Sequence, residues 1–391
     1  MAHESTSRGK CSKRIAIIGG GPAGCICAYY LQNNFDVTLF DKGKFLRTIL
    51  PTGGGRCNLA HAEYDFRELA KNYPRGEKFL YSVFSRFGTQ DTIDFFKNIG
   101  VKTYTQEDNR IFPVSNSAAD VREKFLKSIS KCSFAREGVN EILPLANGWK
   151  IQTNNNSYLF DYVIIAVGGH AGYELLKKLN IKIQSPTQAL VGLTTEEDLS
   201  QLSGVKVANA EVKIDKKTYK GDILFTHHGV SGPVIYTISS IYARKEFPYE
   251  ITFKFADFTD SPQYFLEKSR MEVCNQLKPY VPKSLTKYIL TTLGKEPDIA
   301  GSWLGRTSHQ KLLNTLENFK LHINGKMKNG EVVTCGGVDL KEVNAKTLES
   351  KQYPGLYFCG EVLDIDGLCG GFNLQNCWST GFIVAQSINE N

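Results

Sequence analysis

The sequence predicts an α/β fold: a Rossmann-like domain of three layers, β/β/α, interrupted by an inserted domain that is first β-rich and then helical. Three observations lead there. A glycine loop, Gly19-Gly-Gly-Pro-Ala-Gly24, stands between an apolar strand and a helix near the start of the chain, and a second glycine-bearing stretch, Pro354 to Gly381, stands near its end. Between them the pattern changes: short strand-like runs from about Leu190, amphipathic helical spacing from Ser261 to Leu316, then strands and glycines again from Glu331. The expected boundaries are 12–188 for the first part of the Rossmann-like domain, 189–330 for the insert (barrel-like over 189–257, helical over 258–330) and 331–391 for the second part.

The first loop has a physical logic. The strand Arg14 to Ile18 runs into Gly19, which permits the tight turn; Gly21 lets the backbone approach a pyrophosphate; Gly24 lets the helix opening at Pro22 and Ala23 pack on the strand. That helix would present free amide N–H groups to the phosphates. A second strand, Asp36 to Phe40, ends in Asp41 and Lys42, about 20 residues after the glycines, where a carboxylate accepts from ribose hydroxyls and repels a 2′-phosphate. Together with the C-terminal stretch, this implies FAD.

After Asp41 come the glycine-rich loop Pro51 to Asn58 and amphipathic helices over Glu77 to Phe87 and Thr89 to Asn98, the latter closed by Gly100. A hairpin turns at Gln106 to Asn109 and leaves through Arg110 to Pro113, and Ser117 caps a helix whose Val121, Phe125, Leu126 and Ile129 share one face. Val139 to Val167 reads as a meander with an Asn147-Gly148 turn, and its final strand from Tyr162, running into Gly168 and Gly169, belongs to the parallel sheet. Val139, starting that meander beside the nucleotide, is either the adenine contact or plain core. In the insert, Ala210 to Ile214 and Ile251 to Phe255 are expected strands, with no crossover helices before Ser261.

At the C-terminal end, Gly360-Glu361 would close a strand, the acid accepting from the ribityl chain or from a water beside the pyrophosphate. Gly370 and Gly371 would bring backbone N–H groups to the flavin pyrimidine edge at the start of a helix from about Asn373, next to Phe372. Gly54 and Gly55 would let the main chain pass close to the isoalloxazine, with Arg56 and Cys57 beside it.

Composition bounds the rest. At 391 residues with 41% hydrophobic content the chain suggests two or three domains. Met1 to Lys10 is polar with no signal-like apolar run and no stretch spans a bilayer, so a cytoplasmic protein without a membrane partner is expected. Ten cysteines without a CxxC pair give neither a disulfide framework nor a zinc site, and no metal is expected. A net charge of +7 permits an anionic partner, but the cations are spread among acids apart from Lys213 to Lys220; a solvated basic surface and a nucleic-acid footprint both remain open.

Six segments, GGGPAG, TGGGRCN (Thr52 to Asn58), RIFPVSNSAADV (Arg110 to Val121), FTHHGVSGP (Phe225 to Pro233), CGGV (Cys335 to Val338) and GLYFCGEVLDIDGLCGGFNLQ (Gly355 to Gln375), resemble the BaiN/YhiN-type FAD flavoproteins, in order and over nearly the whole chain. These belong to the superfamily with two dinucleotide-binding domains. The resemblance implies hydride addition to an activated C=C bond, in one branch of bile-acid CoA thioesters and in another, that of YhiN (RdsA), of uridine in large-subunit ribosomal RNA. The chain departs from the pattern where Gly168 to Tyr173 enters a helix without the longer loop of many members, at Cys369 in place of a usual Thr, and at His228 in place of an aromatic residue.

With that chemistry, Cys57 is a candidate proton donor or a small buried thiol, and His227 a candidate donor to a substrate carbonyl or a structural histidine. Arg56 offers a fork of donors; Arg110 is either an anion-binding group or a surface ion pair. No second GxGxxG exists, so NAD(P)H as reductant would bind transiently where substrate later sits, giving ping-pong kinetics. The expected function is an FAD-dependent oxidoreductase with ribosomal uridine as leading substrate. The alternatives are a small-molecule enoyl reductase or amine oxidase, and a non-catalytic flavin-stabilised interaction protein. Oligomeric state stays open.

Overall fold

A computed structural model of the chain describes residues 12–169, 172–258, 269–328 and 333–391. The chain divides into two compact units, one made of Met1–Thr187 with Thr334–Asn391 and the other of Gln188–Val333. Each has its own apolar core.

The first unit is built on a parallel five-stranded sheet, in the order Leu356–Phe358, Tyr162–Ile165, Arg14–Ile18, Asp36–Phe40, Ser133–Ala135. Its central strands are apolar on both faces, as a parallel sheet covered on both sides requires. The meander Val139–Leu145, Gly148–Thr153, Ser157–Phe160 forms one covering layer, with the Phe40 ring against Tyr158 and Phe160 at 5.4 and 5.8 Å. Helices form the third layer. The first, Pro22–Leu31, and the last, Phe372–Asn389, approach so closely that a Cβ at Gly381 would lie 2.5 Å from Ala23 O. Trp378 locks the last helix down, donating its indole N–H to Leu59 O at 2.9 Å with its ring among Phe96 and Phe125. The helices Thr89–Asn98 and Ala118–Ser128 form where their apolar spacing places them, and Ser117 Oγ caps the second by accepting from Asp120 N at 3.2 Å.

The second unit contains a closed barrel, ordered Leu193–Thr195, Gly229–Ser231, Lys217–Thr226, Lys206–Ile214, Tyr249–Lys254, Phe319–Lys326. Helices Lys283–Thr292 and Arg306–Glu317 pack Leu285, Ile289, Leu312 and Leu316 into the same core.

Three differences from the sequence reading have physical causes. Phe319–Lys326, expected within a helical stretch, is a barrel strand, and its burial alternates residue by residue with period two. Pro233–Ile241, expected to hold no helix, is one; its β-branched Val234, Ile235, Thr237 and Ile238 speak for strand locally, and burial of one face overrides them. Ser133–Ala135, a three-residue edge strand with Phe134 40% exposed, carries no alternation to read. Of the stretch expected to be helical from Ser261, residues 261–268 lie outside the described residues, as do His170, Ala171, Glu331 and Val332.

Candidate FAD site

The glycine loop is closed on one side and open on the other. At Gly19, φ is +113° and a Cβ would lie 2.1 Å from Ala166 O; at Gly24 it would lie 2.1 Å from Gly19 O. Neither position admits a side chain. At Gly21 the nearest heavy atom is Thr48 Oγ1 at 3.9 Å, and no side chain caps the helix that begins at Pro22. Its N-terminal amides and the positive end of its dipole therefore face a space that protein does not fill, the arrangement that takes a diphosphate.

Asp41 holds this loop in shape. Its Oδ2 accepts from Gly20 N at 2.8 Å and its Oδ1 from Gly43 N at 2.7 Å, leaving one lone pair on each oxygen for a ribose hydroxyl. Lys42 is exposed and its stem passes Gly138, so Asp41, Lys42 and the half-buried Val139 gather at one end of the loop.

The C-terminal motif meets the loop at its other end. After the strand Leu356–Phe358, Gly360 turns with φ +77°, and a Cβ there would lie 2.8 Å from Ala23 Cβ. Gly360 N donates to Thr380 Oγ1 at 2.9 Å. The next residue, Glu361, is half-buried, and its carboxyl has no hydrogen-bond or ion partner among the described residues. Desolvation pushes its carboxyl up to about 7, with the charge of Asp366 adding to the rise. Two more polar groups nearby are buried without partners: the Tyr173 hydroxyl, whose own ionisation burial and Glu361 oppose, and both ends of the Asn376 amide. Unpartnered hydroxyl, amide and carboxyl groups beside an open glycine loop fit a ligand rich in hydroxyls and phosphate oxygens, as the ribityl diphosphate of FAD is.

The loop before the last helix is fixed from three directions. Arg75 and the fully buried Asp366 form a bidentate ion pair. The Asn373 amide spans the loop, accepting from Gly367 N at 2.8 Å and donating to Gly367 O at 2.9 Å. In the orientation its neighbours require, Asn58 accepts from Gly371 N and donates to Ala60 O, both at 3.0 Å. Asn373, expected at the cofactor, thus spends both ends of its amide on its own loop. The helix starts at Phe372, with Gly370 and Gly371 at φ +135° and +99°.

In Thr52–Asn58, Gly53, Gly54, Gly55 and Cys57 all adopt positive φ, and nothing lies within 4 Å of a Cβ at Gly54. The Arg56 guanidinium lies 4.1 Å over the Phe112 ring, its Nε donating to Gly53 O at 3.1 Å, with no acidic partner among the described residues. Arg110 instead pairs with Asp108, its Nε 2.7 Å from Oδ2. Cys57 is fully buried and desolvation pushes its thiol up to about 12, so it meets the description of a small buried thiol rather than an accessible acid. Gly168, at φ +79° and open, and Gly169, packed on Thr334, follow the strand Tyr162–Ile165.

His61 is absent from the sequence reading. It sits on the two-residue strand Ala60–His61 paired with Ile111 and Arg110, with Nδ1 3.1 Å from Gly370 O and its ring stacked on Phe372 at 4.5 Å. So short a strand leaves no periodic signal. His227 and His228 lie in the second unit, exposed at the turn between Lys217–Thr226 and Gly229–Ser231.

The family model described as the HI0933-like protein Rossmann domain matches residues 13–387. The chain is 29% identical to the ribosomal RNA dihydrouridine synthase of Escherichia coli (95% of this chain, 97% of the relative) and 30% identical to that of Haemophilus influenzae (95% and 98%). It is 28% identical to the 3-dehydro-bile acid delta(4,6)-reductase of Clostridium scindens (96% and 99%). With the glycine loop, the strand-end acid and the C-terminal glycines in one site, the chain belongs to the HI0933-like family, within the FAD-dependent oxidoreductases.

Proposed function

We propose that this protein is an FAD-dependent reductase that takes hydride from NAD(P)H and delivers it to an activated C=C bond, with uridine in large-subunit ribosomal RNA as the leading substrate. The observation that carries the cofactor reading is the approach of Gly360 to Ala23, which joins motifs at opposite ends of the chain into one site around the unpartnered Glu361. The substrate reading draws its support from the two ribosomal RNA dihydrouridine synthases, each matched over nearly its full length.

Bound FAD supplies the hydride chemistry. Gly19, Gly21, Pro22, Ala23 and Gly24 would hold its diphosphate, Asp41 and Lys42 the ribose, Val139 the adenine and Glu361 the ribityl hydroxyls. Gly54, Gly55, Gly168 and Gly169 leave main chain open beside the ring. Gly370 and Gly371 precede the 18-residue helix Phe372–Asn389; with the Gly371 N–H held by Asn58, the first amides of that helix would meet the pyrimidine edge, where the positive helix end stabilises the negative charge of the reduced state. Arg56, held flat on Phe112 without an acid, is suited to grip a substrate carbonyl or phosphate. With Cys57 buried, His61 takes its place as the candidate proton donor, alongside His227.

A second reading, reduction of a small-molecule enone, draws on the bile-acid reductase. Mass-spectrometric mapping of dihydrouridine in ribosomal RNA, with and without the gene, separates the two. Loss of one dihydrouridine, restored by the active protein, supports RNA reduction. An unchanged profile, with NADH or NADPH still reducing the bound flavin, moves the assignment to small enones.

A further inference from the structure

We infer that the face of the second unit carrying Trp303, Met271 and Arg270 is a docking surface for unpaired RNA. This rests on the RNA-reductase reading and assigns that substrate a contact on the inserted unit. Of the three tryptophans, Trp149 and Trp378 are 2% and 0% exposed, whereas Trp303 is 83% exposed. Among the described residues its indole has no ring or hydrogen-bond partner. The core therefore does not use it.

The surrounding backbone fixes where the indole stands. Residues 269–273 run antiparallel to 299–302, with Val273 N donating to Ile299 O at 3.0 Å, Gly301 N to Met271 O at 3.0 Å and Ser302 N to Ser269 O at 2.9 Å. This clamp puts the exposed Arg270 and the 55% exposed Met271 on the segment paired with the one that leads into Trp303. The short helix Gly301–Leu304 buries Leu304 and turns Trp303 outward, and the exposed Arg306 follows three residues on. Arg270 has no ion partner among the described residues.

Charge and shape select the partner. Residues 269–311 hold seven Lys and Arg against three Asp and Glu, a large share of the excess in a chain of net charge +7. An exposed aromatic ring on a stretch with a surplus of cations suits a base that stacks while neighbouring phosphates meet Arg270 and other cations of the stretch, although Glu272 and Asp298 lie on the same stretch. A protein partner of this size would ask for a broader continuous apolar patch.

The test is fluorescence anisotropy of the full-length, FAD-loaded protein with a labelled single-stranded 12-nucleotide RNA. Variants W303A, W303F and R270A are compared, with thermal melting to confirm the fold. W303A should weaken binding about 5- to 100-fold and W303F much less, since stacking needs only an aromatic face. R270A should weaken binding and flatten its dependence on salt. Wild-type binding that W303A leaves unchanged overturns this surface while the RNA reading stands. Equal losses in W303A and W303F, at unchanged melting, also overturn it by removing stacking as the cause. No wild-type binding, with enone reduction intact, overturns both readings together.

Discussion

The loops Gly19–Gly24 and Thr52–Asn58 are both glycine-rich, yet Gly19 and Gly24 in the first and Gly54 in the second are glycine for opposite reasons. In the first, Gly19 and Gly24 are glycine because protein backbone already occupies the place of a Cβ, at 2.1 Å in each case. In the second, Gly54 has empty space on its Cβ side and is glycine because its φ of +69° disfavours a side chain. Gly21 is a third kind, with an ordinary φ of −80° and an open flank. Crowding marks what the fold needs; openness marks what a ligand needs.

The comparison is sharpest under substitution. Gly24→Ala should show the largest effect, at least about 3 kcal/mol of stability, because the methyl must displace the Gly19 carbonyl on which the first helix packs; denaturant unfolding measures it. Gly21→Ala should leave the melting temperature of the cofactor-free protein unchanged and raise the FAD dissociation constant about 100-fold. If Gly21→Ala instead unfolds the protein, the distinction between its two flanks fails.

Glu361→Gln tests the open side by pH. The carboxyl sits at about 7 in the folded protein against an ordinary 4.5, so the cofactor-free fold keeps a proton that the unfolded chain has released between those values. Its stability is fully present below about 4.5 and falls as pH rises toward 7; the Gln variant should lose that fall. Hydroxyl donors of FAD favour the ionised form, so wild-type affinity should rise across the same window and that of Glu361→Gln should stay flat, both read by flavin fluorescence. Gly54→Ala should cost about 1–2 kcal/mol of stability, from left-handed strain alone, less than Gly24→Ala, and should alter the flavin absorption spectrum.

Much of this was legible in the sequence, for reasons of range. The strands Arg14–Ile18 and Asp36–Phe40 and the helices Pro22–Leu31 and Thr89–Asn98 begin and end where apolar runs, glycines and caps place them. Their signals are local. The barrel strand Phe319–Lys326 had a readable alternation, Phe319, Leu321 and Ile323 inward, hidden by the helical pattern before it. By contrast, the position of His61 against Gly370 and the approach of Gly360, beside Glu361, to Ala23 arise only when segments some 300 residues apart meet. No residue pattern near His61 could announce it. Asn373 shows the converse: its place beside the glycines suggests a ligand contact, while its side-chain amide, through a contact six residues away, closes the loop.

The order of the sheet also sets a schedule for synthesis. The strand Tyr162–Ile165 pairs on one side with Leu356–Phe358, and the whole second unit is translated between them. At ribosomal speeds of about 5–20 residues per second, that edge waits roughly 10–40 seconds for its neighbour. The barrel and its helices come from one continuous stretch and can complete themselves during the delay, although they begin later. The first unit, holding the glycine loop, finishes last, and until its final helix emerges it presents an unpaired apolar strand to anything that can bind one.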